Sequence, residues 1–236
     1  MLNTAIILAG GFGTRLKDVI VDLPKPMAPV NGRPFLDYQL DYLGKNGITK
    51  VCLSVGHLSQ KIISHYGSAY KGIELSYAIE QEPLGTGGGI RLALENMAVA
   101  NVLVLNGDSF FELDILAFYT QHINKNSNLS IALRNVANAS RYGAISINHN
   151  NQIISFKEKS GVTEPGYINA GVYIIERELF VTQTKSEQKF SVEKDFFEKR
   201  LTDLRIMGFV FDAYFIDIGV PEDYMKAQND FKGFKY

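Results

Sequence analysis

The stretch Leu8-Ala9-Gly10-Gly11-Phe12-Gly13-Thr14-Arg15-Leu16, answered by Pro24-Lys25-Pro26-Met27, decides how the rest of the chain is read. The apolar run Ala5-Ile6-Ile7-Leu8 before it reads as a buried first strand. That strand opens into a loop holding Gly10, Gly11 and Gly13, whose backbone a ligand can approach with no Cβ in the way. A row of backbone N–H groups makes a concave anion site. Arg15 adds a planar, permanently charged fork suited to phosphate oxygens, and Lys25 adds a mobile point charge. The stretch therefore reads as a loop that wraps a polyphosphate and neutralises its charge. Two familiar phosphate motifs are not met: Leu16 stands where the dinucleotide fingerprint needs its third glycine, and the Gly-Lys-Ser/Thr of the P-loop is missing. A Gly-rich turn with no ligand is the competing reading of the glycines taken alone.

Outward from this loop, strand and helix patterns alternate. Phe35, Leu36, Gln39, Leu40, Tyr42 and Leu43 recur at helical spacing and predict a helix that ends near Asn46-Gly47. Residues 50–55, 74–79, 101–105 and 129–135 read as strands, and 58–66, 90–96 and 113–125 as helices. Residues 80–89 read as a second glycine-rich loop. Later, 144–147 and 153–158 read as a hairpin across the polar turn 148–151, and 167–175, 206–211 and 214–218 as strands. Residues 192–201 read as a helix with Ser191 as its cap, and the last helix opens after Gly219 with Pro221, Glu222 and Asp223 in its first turn. The expectation is α/β: one Rossmann-like domain over residues 1–236. It has a mostly parallel sheet flanked by helices and an antiparallel hairpin region on the substrate side.

Composition narrows the function classes. The 236 residues are 46% hydrophobic and 21% charged, enough for a full core without staples. A formal net charge of −1 implies no general affinity for nucleic acid or an anionic membrane, so any phosphate site must be local. The single cysteine, Cys52, excludes an internal disulfide and a thiolate metal cluster, and its apolar neighbours predict a buried thiol. Residues 5–9 are too short for a signal peptide and no run reaches membrane-helix length, so the expected location is cytoplasmic. The four histidines, His57, His65, His122 and His149, are scattered without metal-ligand spacing.

In open α/β sheets ligands sit beyond the carboxyl ends of the strands. The signature loop, the loop from Glu80 and Asn106-Gly107-Asp108 all obey that rule. Asp108 follows the apolar strand Val102-Leu103-Val104-Leu105, where a carboxylate can hold a Mg²⁺ shared with phosphate oxygens. Asp217, inside Phe215-Ile216-Asp217-Ile218-Gly219, is the second candidate. Spacing does not show that the two meet; a cap at Asp108 and a buried hydrogen bond at Asp217 are the bland alternatives.

The signature, with its Pro-Lys-Pro answer, resembles that of the sugar-phosphate nucleotidyltransferases, which join a nucleoside triphosphate to a sugar 1-phosphate and release pyrophosphate. The wording from Asp22 to Leu36, and Lys17-Asp18 where many members carry proline, most resemble the heptose 1-phosphate guanylyltransferase branch. The resemblance implies a nucleotide-binding part over about 1–110 and a sugar-phosphate-binding part over about 111–220. It implies that Arg15, Lys25 and Asp108 carry catalysis and that Asp108 and Asp217 hold Mg²⁺. Leu8, Gly10, Gly11, Gly13, Thr14, Glu80, Gly85, Thr86 and Asn106 would surround the nucleotide. Gly143, Glu158, Lys159 and Asn169 would bind the sugar phosphate, although Ser160 stands where the family usually has proline after Glu-Lys. An ionised carboxylate only accepts hydrogen bonds, and guanine offers adjacent N1–H and N2–H donors, so Glu80 favours GTP. The expected partners are GTP and a manno-heptose 1-phosphate, with no nucleic acid and no membrane. A homodimer is left open. Mannose 1-phosphate or another nucleotide–sugar pair, a metal-dependent glycosyltransferase, and a catalytically silent binding protein are the other readings.

Overall fold

The computed structural model describes residues 2–11, 22–156 and 164–234. Its first half comprises β1 (Thr4–Leu8), β2 (Pro29–Val30), β3 (Arg33–Pro34), α1 (Phe35–Lys45), β4 (Lys50–Val55), α2 (Ser59–Tyr66), β5 (Ala69–Tyr70), β6 (Ile73–Ile79), α3 (Gly85–Leu94) and β7 (Asn101–Asn106). There follow β8 (Ser109–Phe111), α4 (Ile115–Asn124), β9 (Leu129–Val136), β10 (Ile145–Ile147), β11 (Ile153–Phe156), β12 (Gly166–Glu176), α5 (Arg177–Gln183), β13 (Ile206–Val210), β14 (Phe215–Asp217) and α6 (Pro221–Asp230).

The apolar run before the signature is the middle of the sheet. β1 lies parallel to β4 on one side and to β7 on the other, with Ile6 opposite both Cys52 and Val104, and β6 continues the parallel part beyond β4. Successive side chains of β1 enter opposite cores: Ala5 and Ile7 join the face covered by α1, α2, α4 and α6, and Ile6 the face covered by α3 and α5. Burial on both faces explains why these strands read as unbroken apolar runs. β12 then joins β7 antiparallel and pairs β9 on its other side; β13 adds to β9 in parallel, and β10 and β11 form the expected hairpin. The α/β expectation of a parallel sheet with an antiparallel second part is met. Cys52 is buried, as its neighbours implied.

Three local expectations are corrected. Residues 85–89 are not loop: the helix starts at Gly85, and the true loop is only 80–84. Glycine is a poor helix former, but this helix packs too closely on the segment 188–190 for larger residues. A Cβ on Gly88 would stand 2.5 Å from the carbonyl oxygen of Gln188, and one on Gly85 (φ +72) 2.6 Å from that of Phe190. Residues 192–201 are not a regular α-helix but a wide π-helical turn, Val192–Phe197, followed by the 3-10 turn Glu198–Arg200; Ser191 caps it as expected, accepting from Lys194 N at 3.2 Å. The short elements β5 and α5 escaped the periodicity reading because neither is long enough to show a period. Among the described residues no helix is long and apolar enough to cross a membrane.

Candidate active site

Asp108 and Asp217 come together through β8 and β14. These strands form a separate antiparallel pair in which Asp217 faces Ser109, and Ile218 N donates to the carbonyl oxygen of Asp108 at 2.9 Å. Lys25, in the 3-10 turn Lys25–Met27, places its Nζ 2.6 Å from Asp108 Oδ2. A Cβ built on Gly219 would lie 2.8 Å from that same Nζ and 2.6 Å from Asp217 Oδ1. One ammonium and two carboxylates therefore flank one point at the carboxyl rim of the sheet. The Lys25 side chain is only 10% exposed, against 38% for Asp108, so the lysine closes the floor and the carboxylate faces the opening.

The turn that presents Asp108 is clamped from below. Gln39, fully buried on α1, donates from Nε2 to the carbonyl oxygens of Asn106 and Ser109, both at 2.8 Å. Sequence reading placed Gln39 in an apolar stripe, since a buried amide obeys the same helical spacing as a leucine. Ser109, Phe110 and Phe111 form β8 directly after this turn, and Asp114 caps α4 by accepting from Ala117 N at 2.9 Å.

A cleft of about 500 Å³ opens above this point, a size suited to a small-molecule ligand. Leu8, Gly10 and Gly11 from the end of β1 line it together with Lys25, Glu80, Gly85, Thr86, Asn106 and Asp108. Glu80 is held at both oxygens: Oε1 accepts from Ser54 Oγ at 3.2 Å and Oε2 from Leu84 N at 2.9 Å. A Cβ at Gly10 or Gly89 would come within 2.9 Å of Oε1, so these glycines make room for the carboxylate. Thr86 reaches the cleft wall, but its hydroxyl is turned away from the opening, donating to Glu193 at 3.0 Å and accepting from Val192 N at 2.9 Å. Asn106 Oδ1 is buried with no partner among the described residues. Lys189 also lines the cleft, exposed and without a partner among the described residues. It belongs to no motif, and only the packing of 188–190 on α3 brings it here.

The residues expected on the acceptor side lie on β12 and in the loop before β10, and neither Gly143 nor Asn169 lines the cleft. Asn169 Nδ2 donates to Tyr173 Oη at 2.9 Å, and its Oδ1 accepts from Gly171 N at 2.9 Å, across a register shift in β12. Gly143 has φ +82, a backbone that disfavours other residues. Its neighbour Tyr142 packs edge-on to Phe215, 5.9 Å between ring centroids and two residues before Asp217. Arg141 on the same loop was not singled out from the sequence. It bonds Asp223 at 2.8 Å, and that bond, helped by the nearby Asp217 charge, holds its pKa above the usual guanidinium value. Gly13, Thr14, Arg15, Glu158 and Lys159 lie outside the described residues.

Comparison with known proteins gives this geometry its context. The family model described as "Nucleotidyl transferase" matches residues 4–233. A D-glycero-alpha-D-manno-heptose 1-phosphate guanylyltransferase of Aneurinibacillus thermoaerophilus is 46% identical over 226 residues, covering 96% of this chain and 97% of that protein. The protein of the same name from Campylobacter jejuni is 41% identical, over 93% of this chain and 96% of its own length. The crystal structure of HddC from Yersinia pseudotuberculosis complexed with GMP-PN superposes with a TM-score of 0.86, at 38% identity, over 98% of this chain and 100% of that one. With the family model matching residues 4–233 and relatives similar over nearly the full length, this chain belongs to the nucleotidyl transferase family.

Proposed function

We propose that this enzyme joins GTP to D-glycero-α-D-manno-heptose 1-phosphate, giving GDP-heptose and pyrophosphate. The observation that carries the reading is the convergence of Lys25 Nζ, Asp108 and the Asp217–Gly219 corner beside a cleft that Glu80 also lines. The names of the two relatives similar over nearly their full length support the sugar and the base.

The reaction is an in-line displacement. An oxygen of the sugar 1-phosphate forms a bond to the α-phosphorus, the bond from that phosphorus to the bridging oxygen of the β-phosphate breaks, and the electron pair leaves with pyrophosphate. The nucleophile is already ionised near neutral pH, so the chain need supply alignment and charge neutralisation rather than a general base. Lys25 neutralises the α-phosphate, Arg15 the departing pyrophosphate, and Lys159 steadies the sugar phosphate. Glu80, fixed by Ser54 and Leu84, accepts from the two adjacent donors of guanine. Gly143, Glu158 and Asn169 receive the sugar ring.

The donor set fits a hard divalent cation. Two carboxylates meet where a side-chain ammonium already sits, and among the described residues no cluster of three His, Cys, Asp or Glu competes for it. Asp108 and Asp217 would hold Mg²⁺, which when bound supplies further neutralisation of phosphate oxygens. We read residues 1–236 as one catalytic unit, with the nucleotide side over about 1–110 and the acceptor side over about 111–220, working in the cytoplasm where GTP is available.

The test is pyrophosphate release in the presence of Mg²⁺, crossing GTP, ATP, CTP, UTP and dTTP with the 1-phosphates of manno-heptose, mannose, glucose and N-acetylglucosamine. Release with GTP and the heptose is expected. Preference for mannose 1-phosphate would move the acceptor assignment, another nucleotide would overturn the Glu80 argument, and no release with any pair would overturn the reaction.

A further inference from the structure

From Thr86 on the cleft to Asn169 on β12 runs a hydrogen-bond chain whose centre is a residue no substrate needs to touch. Glu193, on the π-helical turn, accepts three hydroxyl protons: from Tyr173 Oη at 3.0 Å, from Thr86 Oγ1 at 3.0 Å and from Ser191 Oγ at 2.9 Å. The directions are forced. Tyr173 already accepts from Asn169 Nδ2, Thr86 from Val192 N and Ser191 from Lys194 N. Each hydroxyl has one proton, and each spends it on the carboxylate. Tyr173 is fully buried. Thr86 stands on the nucleotide wall of the cleft and Asn169 on the acceptor strand. Those elements meet through Glu193.

We propose that Glu193 is a positioning residue that couples the two substrate half-sites, so that nucleotide seated against α3 sets Tyr173 and Asn169 for the acceptor, and the reverse. The physical basis is reciprocity: whatever shifts Thr86 relative to the carboxylate shifts Tyr173 too, and a satisfied buried network has few alternative arrangements. A π-helical turn suits this task, since its wide bonding lets Glu193 and the cap Ser191 face the same point. The inference rests on the proposed reaction only in its choice of ligands.

The test uses guanosine 5′-[α,β-methylene]triphosphate, whose α–β linkage does not react, with Mg²⁺. Its dissociation constant is measured by calorimetry with and without saturating heptose 1-phosphate, and the ratio is the coupling factor. In wild type the acceptor is expected to tighten the nucleotide. Glu193→Gln puts an N–H₂ donor where a hydroxyl needs an acceptor; Tyr173→Phe and Thr86→Val each delete one hydroxyl from opposite sides. Each is expected to cut the coupling factor about fivefold or more, and the double variant Tyr173→Phe/Thr86→Val to lose no more than the worse single one, because both act through one carboxylate. Ser130→Ala, which removes a buried hydroxyl bonded to His122 and none of the Glu193 contacts, is expected to lower the melting temperature and keep the coupling. The proposal is overturned by a wild type without coupling, by variants that retain it, by losses that multiply in the double variant, or by Ser130→Ala losing it equally. If wild type turns over a different nucleotide–sugar pair, the substrate assignment fails separately, and the same cycle on that pair decides this one.

Discussion

Lys25 is held 2.6 Å from Asp108 in a side-chain environment only 10% exposed, where removal of the ammonium leaves Asp108 without its ion-pair partner. Lys25→Ala and Asp108→Asn are each expected to lower kcat by about two orders of magnitude or more, the scale of losing one group aimed at transition-state charge; steady-state pyrophosphate release measures it, and near-normal turnover in both would remove them from catalysis. Glu80 makes a different kind of contribution. Glu80→Gln keeps the shape but replaces one acceptor with a donor, so kcat/KM for GTP should fall by about 10- to 100-fold while that for UTP, with its single donor between two acceptors, should hold or rise. A uniform fall across all nucleotides would assign Glu80 to the loop's folding instead. Gln39 illustrates what side-chain type conceals: its position in the helical stripe was plain, but its bonds to the carbonyls of Asn106 and Ser109 were not.

Helix α3 carries four glycines in its first five residues, which on propensity alone is a poor helix. Alanine at an exposed helix position would be worth about 1 kcal/mol over glycine. At Gly88 the sign should reverse, since the new Cβ meets the backbone of Gln188 at 2.5 Å and Leu84 Cβ at 2.6 Å. Gly88→Ala is expected to destabilise the protein by about 1–3 kcal/mol in urea melts; stabilisation would mean that segment 188–190 gives way without cost. Helix α4 is pinned by His122, whose Nδ1 meets Ser130 Oγ at 2.8 Å and Nε2 meets Asn101 Oδ1 at 3.2 Å. The asparagine oxygen accepts, so Nε2 carries the proton and Nδ1 accepts from the serine. Burial pushes this imidazole down to about 4 from 6.5. Above the unfolded value both states are neutral and the group is silent. As pH falls from about 6.5 to about 4 only the unfolded state takes the proton, and stability should decline by on the order of 3 kcal/mol. Melts at about pH 7.5 and pH 4.5 check this: His122→Asn should narrow the difference, and an unchanged difference would assign the loss to other groups.

The C-terminal segment holds the whole arrangement closed. Phe231, 2% exposed, packs against Phe35 and Tyr38 of α1, against Phe110 of β8 and against Tyr214 beside β14. Phe110 lies in the strand that follows Asp108, and Tyr214 directly precedes the strand that ends in Asp217. Phe231→Ala should therefore cost about 3–5 kcal/mol and lower kcat as well, with the sheet's far-ultraviolet circular dichroism retained. Loss of stability with full activity would show that β8 and β14 hold their own geometry.

Much of this molecule is written locally. Ala5-Ile6-Ile7-Leu8 and Val102-Leu103-Val104-Leu105 had to be strands buried on both faces, because no other element hides an unbroken apolar run so short between turn signals. The glycine loop after the first, and the aspartate after the second, had to fall at the carboxyl rim, where open sheets bind ligands. The place of the ligand site was legible for that reason, through residues adjacent to strand ends, and the reaction class came with the resemblance of the signature. What proximity in the chain could not supply was the meeting of Asp108 with Asp217, separated by nearly half the sequence, and the arrival of Lys189, Glu193 and Arg141 near the cleft. The helical state of Gly85–Leu94 was equally hidden, since glycine's local preference points to loop and only contact with Gln188 and Phe190 outweighs it. Period and propensity act over a few residues; close packing and hydrogen-bond satisfaction act across space, and at these positions the second set is stronger.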